Sequence, residues 1–324
     1  MKCKFAMLLV TLIFIVSPAM ADKYVIDGDI SDWGVDLANG FTNGQYPTDA
    51  NEKAWYTGLK YNTVDWVVED NRDPSLSSDY IGVHIYGVGT TKTSTYSEKL
   101  LHFGTTTIAY QPSGGEGWDI EALYFDDDEY YLYFAIVVSN NQLVPDSFSC
   151  SNGQPNYLGP GDLYLSVLTD SGWKEYGVVI KSHPNIDGDK WVYQGEVYEN
   201  PSWYDDLYEQ VCGRTGWNEV EKTLIDPENP GANIPNAAEV AIAQAPVSDN
   251  EYPNYIIEIK IDRTKIGYPK QGAQGPVEFA VSCGNDYIEK EITYNYNTIP
   301  EFTAIFIPAA IIIGSFYYFR MRRQ

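Results

Sequence analysis

Apolar residues recur along most of this chain with a period of two. Ile257, Ile259 and Ile261 alternate with Glu258, Lys260 and Asp262, and Val277, Phe279 and Val281 alternate with Glu278, Ala280 and Ser282. A strand sends successive side chains to opposite faces, so this spacing predicts half-buried antiparallel strands. Turn residues divide the apolar runs at short intervals. Asp126-Asp127-Asp128-Glu129 separates 122–125 from 130–138, Asp170-Ser171-Gly172 separates 163–168 from 175–180, and Asp187-Gly188 precedes 191–197. Short strands at such intervals predict an all-β fold, an antiparallel β-sandwich of jelly-roll-like type. Residues 39–113, rich in Gly, Thr, Ser, Asn and Tyr, are expected to add long loops and edge strands. Helical periodicity is scarce: a short helix is expected at 203–211, and 226–235, with three prolines, reads as a loop.

The two ends break the pattern. Residues 303–319 carry no charge and are followed by Arg320, Arg322 and Arg323. As a helix this run would reach about 26 Å, close to the ~30 Å hydrocarbon core of a bilayer. It predicts one C-terminal transmembrane helix, with the arginines in the cytoplasm and the body outside. At the other end Lys2 and Lys4 precede an apolar stretch, Pro18 and the small-residue site Ala19-Met20-Ala21, which reads as a signal peptide over 1–21. The body is then a single unit, 22–298, displayed at the cell surface.

Ile299-Pro300-Glu301-Phe302, placed before the apolar run and its basic end, resembles the PEF-CTERM sorting signal of archaeal surface proteins, with Thr303 where that family commonly has a second proline. The resemblance covers 299–324. It implies that an archaeosortase removes the helix and exchanges it for a lipid anchor; a plain single-span anchor is the alternative.

Removing Lys2, Lys4, Arg320, Arg322 and Arg323 from the 21 basic residues leaves 16 in residues 22–302 against 45 acidic ones, a net of −29. Nucleic acid and anionic membrane surfaces are poor partners for such a charge, while salty surroundings and cations suit it; a solvated acidic surface is the plain alternative. Cys3 leaves with the signal peptide. Cys150 and Cys212, both in Gly- and Asn-flanked loops, are the expected disulfide, and Cys283 is then free or buried. The three histidines, His84, His102 and His183, show no metal-ligand spacing, and the body has no methionine with which to complete a His/Met haem site. Nucleotide and serine-hydrolase motifs are absent from the sequence.

Two residue classes remain as candidate chemistry. Carboxylates cluster at Asp27, Asp29 and Asp32, at Asp65, Glu69, Asp70 and Asp73, and at Glu116, Asp119 and Glu121, with Asp162 further on. Oxygen-only clusters suit Ca²⁺, and Glu69, Asp70, Glu116, Asp119, Glu121 and Asp162 are the candidate ligands; solvated acidic loops are the alternative. All eight tryptophans lie in the body. Exposed rings stack on the apolar faces of sugars, whereas buried ones fill cores. Trp33 and Trp66 read as core, while Trp55, Trp173 and Trp203, flanked by polar or turn residues, are the candidate sugar platform.

Ile26-Asp27-Gly28-Asp29-Ile30-Ser31-Asp32-Trp33 resembles the opening of extracellular sandwiches of the family-nine carbohydrate-binding-module and DOMON type. Residues 114–126, Gly161-Asp162-Leu163 and 255–267 are similar to blocks recurrent in archaeal surface proteins of that kind. The resemblance implies the fold more firmly than the ligand; such families include sugar binders with calcium sites, haem carriers and others. The expectation is a non-catalytic, membrane-anchored binding protein of the archaeal envelope with carbohydrate as its ligand class. A self-associating structural envelope protein is the main alternative, and a two-carboxylate glycoside hydrolase a third.

Overall fold

The computed structural model describes residues 22–37, 55, 57–70, 83–86, 92–94, 100–103, 106–109, 120–138, 159–204, 222–248, 253–282, 284 and 286–296. Its first seven strands are β1 (Asp65–Asp70), β2 (Val83–Tyr86), β3 (Lys92–Ser94), β4 (Leu100–Phe103), β5 (Thr106–Ala109), β6 (Ile120–Asp127) and β7 (Tyr131–Val138). β8 (Leu163–Thr169), β9 (Gly172–Val178), β10 (His183–Pro184), β11 (Trp191–Val192), β12 (Val197–Glu199) and β13 (Trp203–Tyr204) follow. The last six are β14 (Leu224–Ile225), β15 (Ala232–Ile234), β16 (Ala238–Ser248), β17 (Pro253–Asp262), β18 (Gln274–Ala280) and β19 (Tyr287–Thr293). One antiparallel sheet runs β16-β17-β7-β6-β1-β2-β3 and a second β15-β12-β9-β8-β18-β19-β5-β4; β10-β11 and β13-β14 are separate two-stranded ribbons.

The all-β antiparallel reading holds. Phe125, Phe134, Ile257, Ile259 and Ile261 of the first sheet share one buried cluster with Leu165, Val178, Val277, Phe279 and Ile288 of the second. The predicted alternation of β17 and β18 supplies this layer. Asp170 and Ser171 form the two-residue turn between β8 and β9, where Gly172 takes a φ of 108°. Two segments differ from the expected secondary structure here. Trp203 and Tyr204 form a strand, not the start of a helix, because they pair with Ile225 and Leu224. Ala232–Ile234, expected in a loop, pairs with β12 at the edge of the second sheet.

A second buried layer covers the other face of the first sheet. Tyr24, Ile30, Trp33 and Trp55 pack on Tyr124, Tyr133, Ala135, Val137 and Ile256. Tyr24 and Trp33 stack at 3.9 Å with an 11° interplanar angle. The amino-terminal segment is shaped for this by its polar residues: Asp29 caps the 3₁₀ turn Ile30–Trp33, and Gly28, at φ 85°, lies so close to β16 that a Cβ would stand 2.3 Å from the Cβ of Ala243. Glu258 holds the segment down. Its carboxylate accepts from Asp27 N (3.1 Å), Gly28 N (2.7 Å) and Trp33 Nε1 (3.1 Å), and the side chain is fully buried. Trp66 is half-buried against the same layer.

The acidic run 126–129 is a turn only in its second half. Asp126 and Asp127 end β6 and are buried. Asp126 accepts from the Tyr24 hydroxyl and pairs with Lys23, both at 2.6 Å. Asp127 pairs with the buried Arg263 at 2.6 Å and accepts from the backbone of Asn295 and Tyr296. Burial still lifts the Asp127 carboxyl to about 6 against the opposing pull of Arg263.

Burial likewise lifts Glu258 to about 7, outweighing its three N–H donors. A carboxyl raised above its unfolded value of 4.5 contributes stability that is full below pH 4.5 and is lost as pH rises through 7. Across that window wild type is expected to lose unfolding free energy relative to Glu258→Gln, measured by denaturant titration at several pH values. Parallel curves would contradict this account.

Candidate functional site

The predicted aromatic platform does not assemble. Trp55 is 2% exposed and belongs to the layer over the first sheet. Trp203 lies across the outer face of the second sheet, edge-on to Tyr164 at 5.9 Å. It fits there because position 177 has no side chain: a Cβ on Gly177 would sit 2.8 Å from Ile225 Cδ1 and 3.0 Å from the Trp203 ring. Both expectations of exposure are therefore corrected, since polar sequence neighbours say nothing of what packs on a ring from elsewhere in the chain. Trp173, on β9 beside the turn, is 55% exposed.

A different group of aromatics is presented on the hairpin formed by β10 and β11. Trp191 is 45% exposed, Tyr193 57%, and Ile186 is exposed at the hairpin tip, while Val192 between the aromatics is buried against Val179, Tyr198 and Ile225. The alternation of Trp191-Val192-Tyr193 after the Asp187-Gly188 turn was the sequence signal for this. The hairpin has a polar frame. Buried Asn185 accepts from Asp189 N (3.0 Å) and Lys190 N (3.2 Å), and its amide donates to Asp189 Oδ1 (2.7 Å) and Glu228 Oε1 (2.5 Å). Lys190 pairs with Glu228, and Glu196 accepts from Tyr193 N and the Tyr198 hydroxyl. Exposed rings on a hairpin that also carries exposed carboxylate and ammonium groups can stack on a sugar face and bond its hydroxyls.

The base of the hairpin is clipped by Asp162. One of its oxygens accepts from Ile180 N (3.0 Å), the other from Ile225 N (2.9 Å) and His183 Nε2 (2.9 Å). This buried carboxylate, expected among calcium ligands, is thus occupied in joining β8, β14 and the hairpin. Glu121 is buried at the start of β6. Among the described residues no three His, Cys, Asp or Glu side chains converge as a metal site. Glu116, Asp119, the side chains of Glu69 and Asp70, Cys150, Cys212 and Cys283 lie outside the described residues, as do the leader 1–21, Pro300, Glu301, Phe302 and the run 303–319. No helix among the described residues is long and apolar enough to cross a membrane.

Carboxylates also meet on the outer face of the second sheet, where Glu278 and Glu289 stand opposite one another. Lys222 donates to both Glu278 oxygens (2.9 and 3.1 Å) and lies 4.0 Å from the Tyr164 ring centroid, and the Tyr287 hydroxyl donates to Glu289 at 3.0 Å. Burial raises the Glu278 pKa, with Lys222 opposing it. The cross-strand repulsion of the two carboxylates is thus opposed by Lys222 on Glu278 and by the Tyr287 hydroxyl on Glu289.

No family model matches the chain, and neither a curated protein nor a solved structure matches it.

Burial lowers the pKa of His183, but the charge and hydrogen bond of Asp162 outweigh it, and the ring titrates above its ordinary 6.5. Stability from this pair is therefore full below pH 6.5 and declines as pH rises through the raised value. Asp162→Ala leaves two buried N–H groups and His183 without their acceptor, and is expected to cost ~3–5 kcal/mol in denaturant unfolding. A loss below ~1 kcal/mol would show that the clip does not hold the hairpin.

Proposed function

We propose that the chain is a non-catalytic carbohydrate-binding protein of the cell surface, a jelly-roll-like sandwich whose platform is the β10-β11 hairpin. The observation that carries this reading is the exposure of Trp191, Tyr193 and Ile186 on a hairpin that also carries Asp189 and Lys190, the latter paired with Glu228. A core has no use for rings held in that position, and a charged interface would not favour them. In this reading the leader 1–21 exports the chain, the run 303–319 holds it to the membrane, and an archaeosortase acts at Pro300-Glu301-Phe302. Envelope or extracellular glycans are the ligand, and nucleic acid is not a partner. Calcium stabilisation is assigned to the stretch leading into β6, where Glu116 and Asp119 precede Glu121.

The β16 edge of the first sheet speaks against strand pairing with a second copy at that edge. Along β16 the Gln194 side chain donates to the Val240 carbonyl, Pro246 lacks an N–H, and the register slips between Gln244 and Ser248. Such features blunt an edge against a second copy.

Trp191→Ala and Tyr193→Ala are each expected to weaken binding to a neutral glycan by about tenfold or more, with no loss of thermal stability, by analogy with aromatic hot spots. Trp55→Ala should instead cost ~3–5 kcal/mol of stability. A glycan array without binding by wild type, or unchanged binding by both hairpin variants, would overturn the proposal. In the same preparation Ca²⁺ is expected to raise the unfolding temperature more than Mg²⁺ does. Equal shifts would reduce the effect to screening of the acidic surface.

A further inference from the structure

The two ends of the described body leave it at one pole. β6, β8, β17 and β19 end there, and β7, β9 and β18 begin there, as their antiparallel registers require. Arg263, just past β17, joins the two sheets at this pole: its guanidinium donates to Asp127 on β6 and to the carbonyls of Pro269 (3.1 Å) and Tyr296 (2.6 Å). Tyr296, the last described residue, is therefore gripped as the chain departs. Lys23 sits beside it, with its ammonium 5.5 Å from the Tyr296 ring and 2.6 Å from Asp126.

Large aromatic side chains surround this exit. Tyr296 and Tyr268 are exposed, and the Tyr268 amide donates to the Arg263 carbonyl. Lys270 N donates to the Leu168 carbonyl, and Leu168 is the partner of Trp173 across β8 and β9, so the exposed Trp173 borders the same pole. The hairpin follows the other end of β9, about 20 Å from Trp173 along that seven-residue strand, while its neighbour Gln194 reaches the Val240 carbonyl near the start of β16.

Chain length then restricts where this pole can be. Six residues separate Tyr296 from Thr303, where the uncharged run begins. Even fully extended they reach no further than about 25 Å. Exposed rings with a polar tip suit the headgroup level of a bilayer, where Tyr and Trp partition. We infer that the pole bearing Trp173, Tyr268 and Tyr296 lies against the lipid headgroups. This inference rests on the membrane-anchored reading, but it adds a contact face that an anchor alone does not require. The partner is a lipid bilayer surface, reached through rings rather than charge, because a body this acidic would be repelled by anionic lipid.

The test uses the full chain in phosphocholine nanodiscs with and without lipid carrying a nitroxide on its headgroup, read by tryptophan fluorescence. Wild type should show a quenched component that Trp173→Phe loses and Trp191→Phe retains. Co-elution with nanodiscs, but equal quenching in wild type and Trp173→Phe, would overturn the contact face and leave the anchor standing. Failure to co-elute with nanodiscs would overturn the anchored reading and this inference with it.

Discussion

Both sheets of this protein carry apolar groups on both faces, and the need to cover the two outer faces governs the rest of the structure. A lone sandwich buries one face of each sheet. Here the amino-terminal segment covers the first sheet through the stacked Tyr24 and Trp33, and the two ribbons cover the second through Val192, Ile225 and Trp203. Each cover depends on close approach to the strands beneath it. Gly28 permits it on one side and Gly177 on the other. Burial of this extent strands polar groups inside, and each cover brings a carboxylate to receive its buried N–H groups: Glu258 beneath the first, Asp162 beneath the second.

This arrangement explains what was legible in the sequence. Alternation reports a difference between two faces of a strand, so the inter-sheet layer, with Ile257, Ile259, Ile261, Val277 and Phe279, could be read directly. The tight turn at Asp170-Ser171 could be read from local chemistry. Glu258 and Asp127 could not, because a charged residue between apolar ones has the same local pattern whether water or another segment lies above it. Trp55 and Trp203 were misplaced for the same reason. Trp191 and Tyr193 were legible in principle, since a single buried valine between two aromatics after a turn marks opposite faces, but that pattern is short.

The acidic composition is also divided by the fold. Asp126, Asp127, Asp162 and Glu258 are buried and matched to Lys23, Arg263, His183 or N–H groups. Their placement is set by packing and hydrogen bonding. The large negative balance of the rest remains with solvent and makes exposed apolar rings more distinctive than they would be on a neutral protein. Two groups of such rings, one beside the turn into β9 and one on the hairpin that follows it, stand out against that charge.

The contact between Gly28 and Glu258 joins positions 230 residues apart. Ribosomes make the amino-terminal segment first and β17 nearly last, so Tyr24 and Trp33 wait for most of synthesis without the strand that will fasten them. Closing so large a loop makes assembly of this layer late and slow relative to the hairpins. The emerging chain therefore carries this aromatic motif with β6 and β7 beneath it but without the Glu258 fastening for much of its biogenesis, and a factor that shields residues 22–37 until β17 arrives would act on the stage at which aggregation competes with folding.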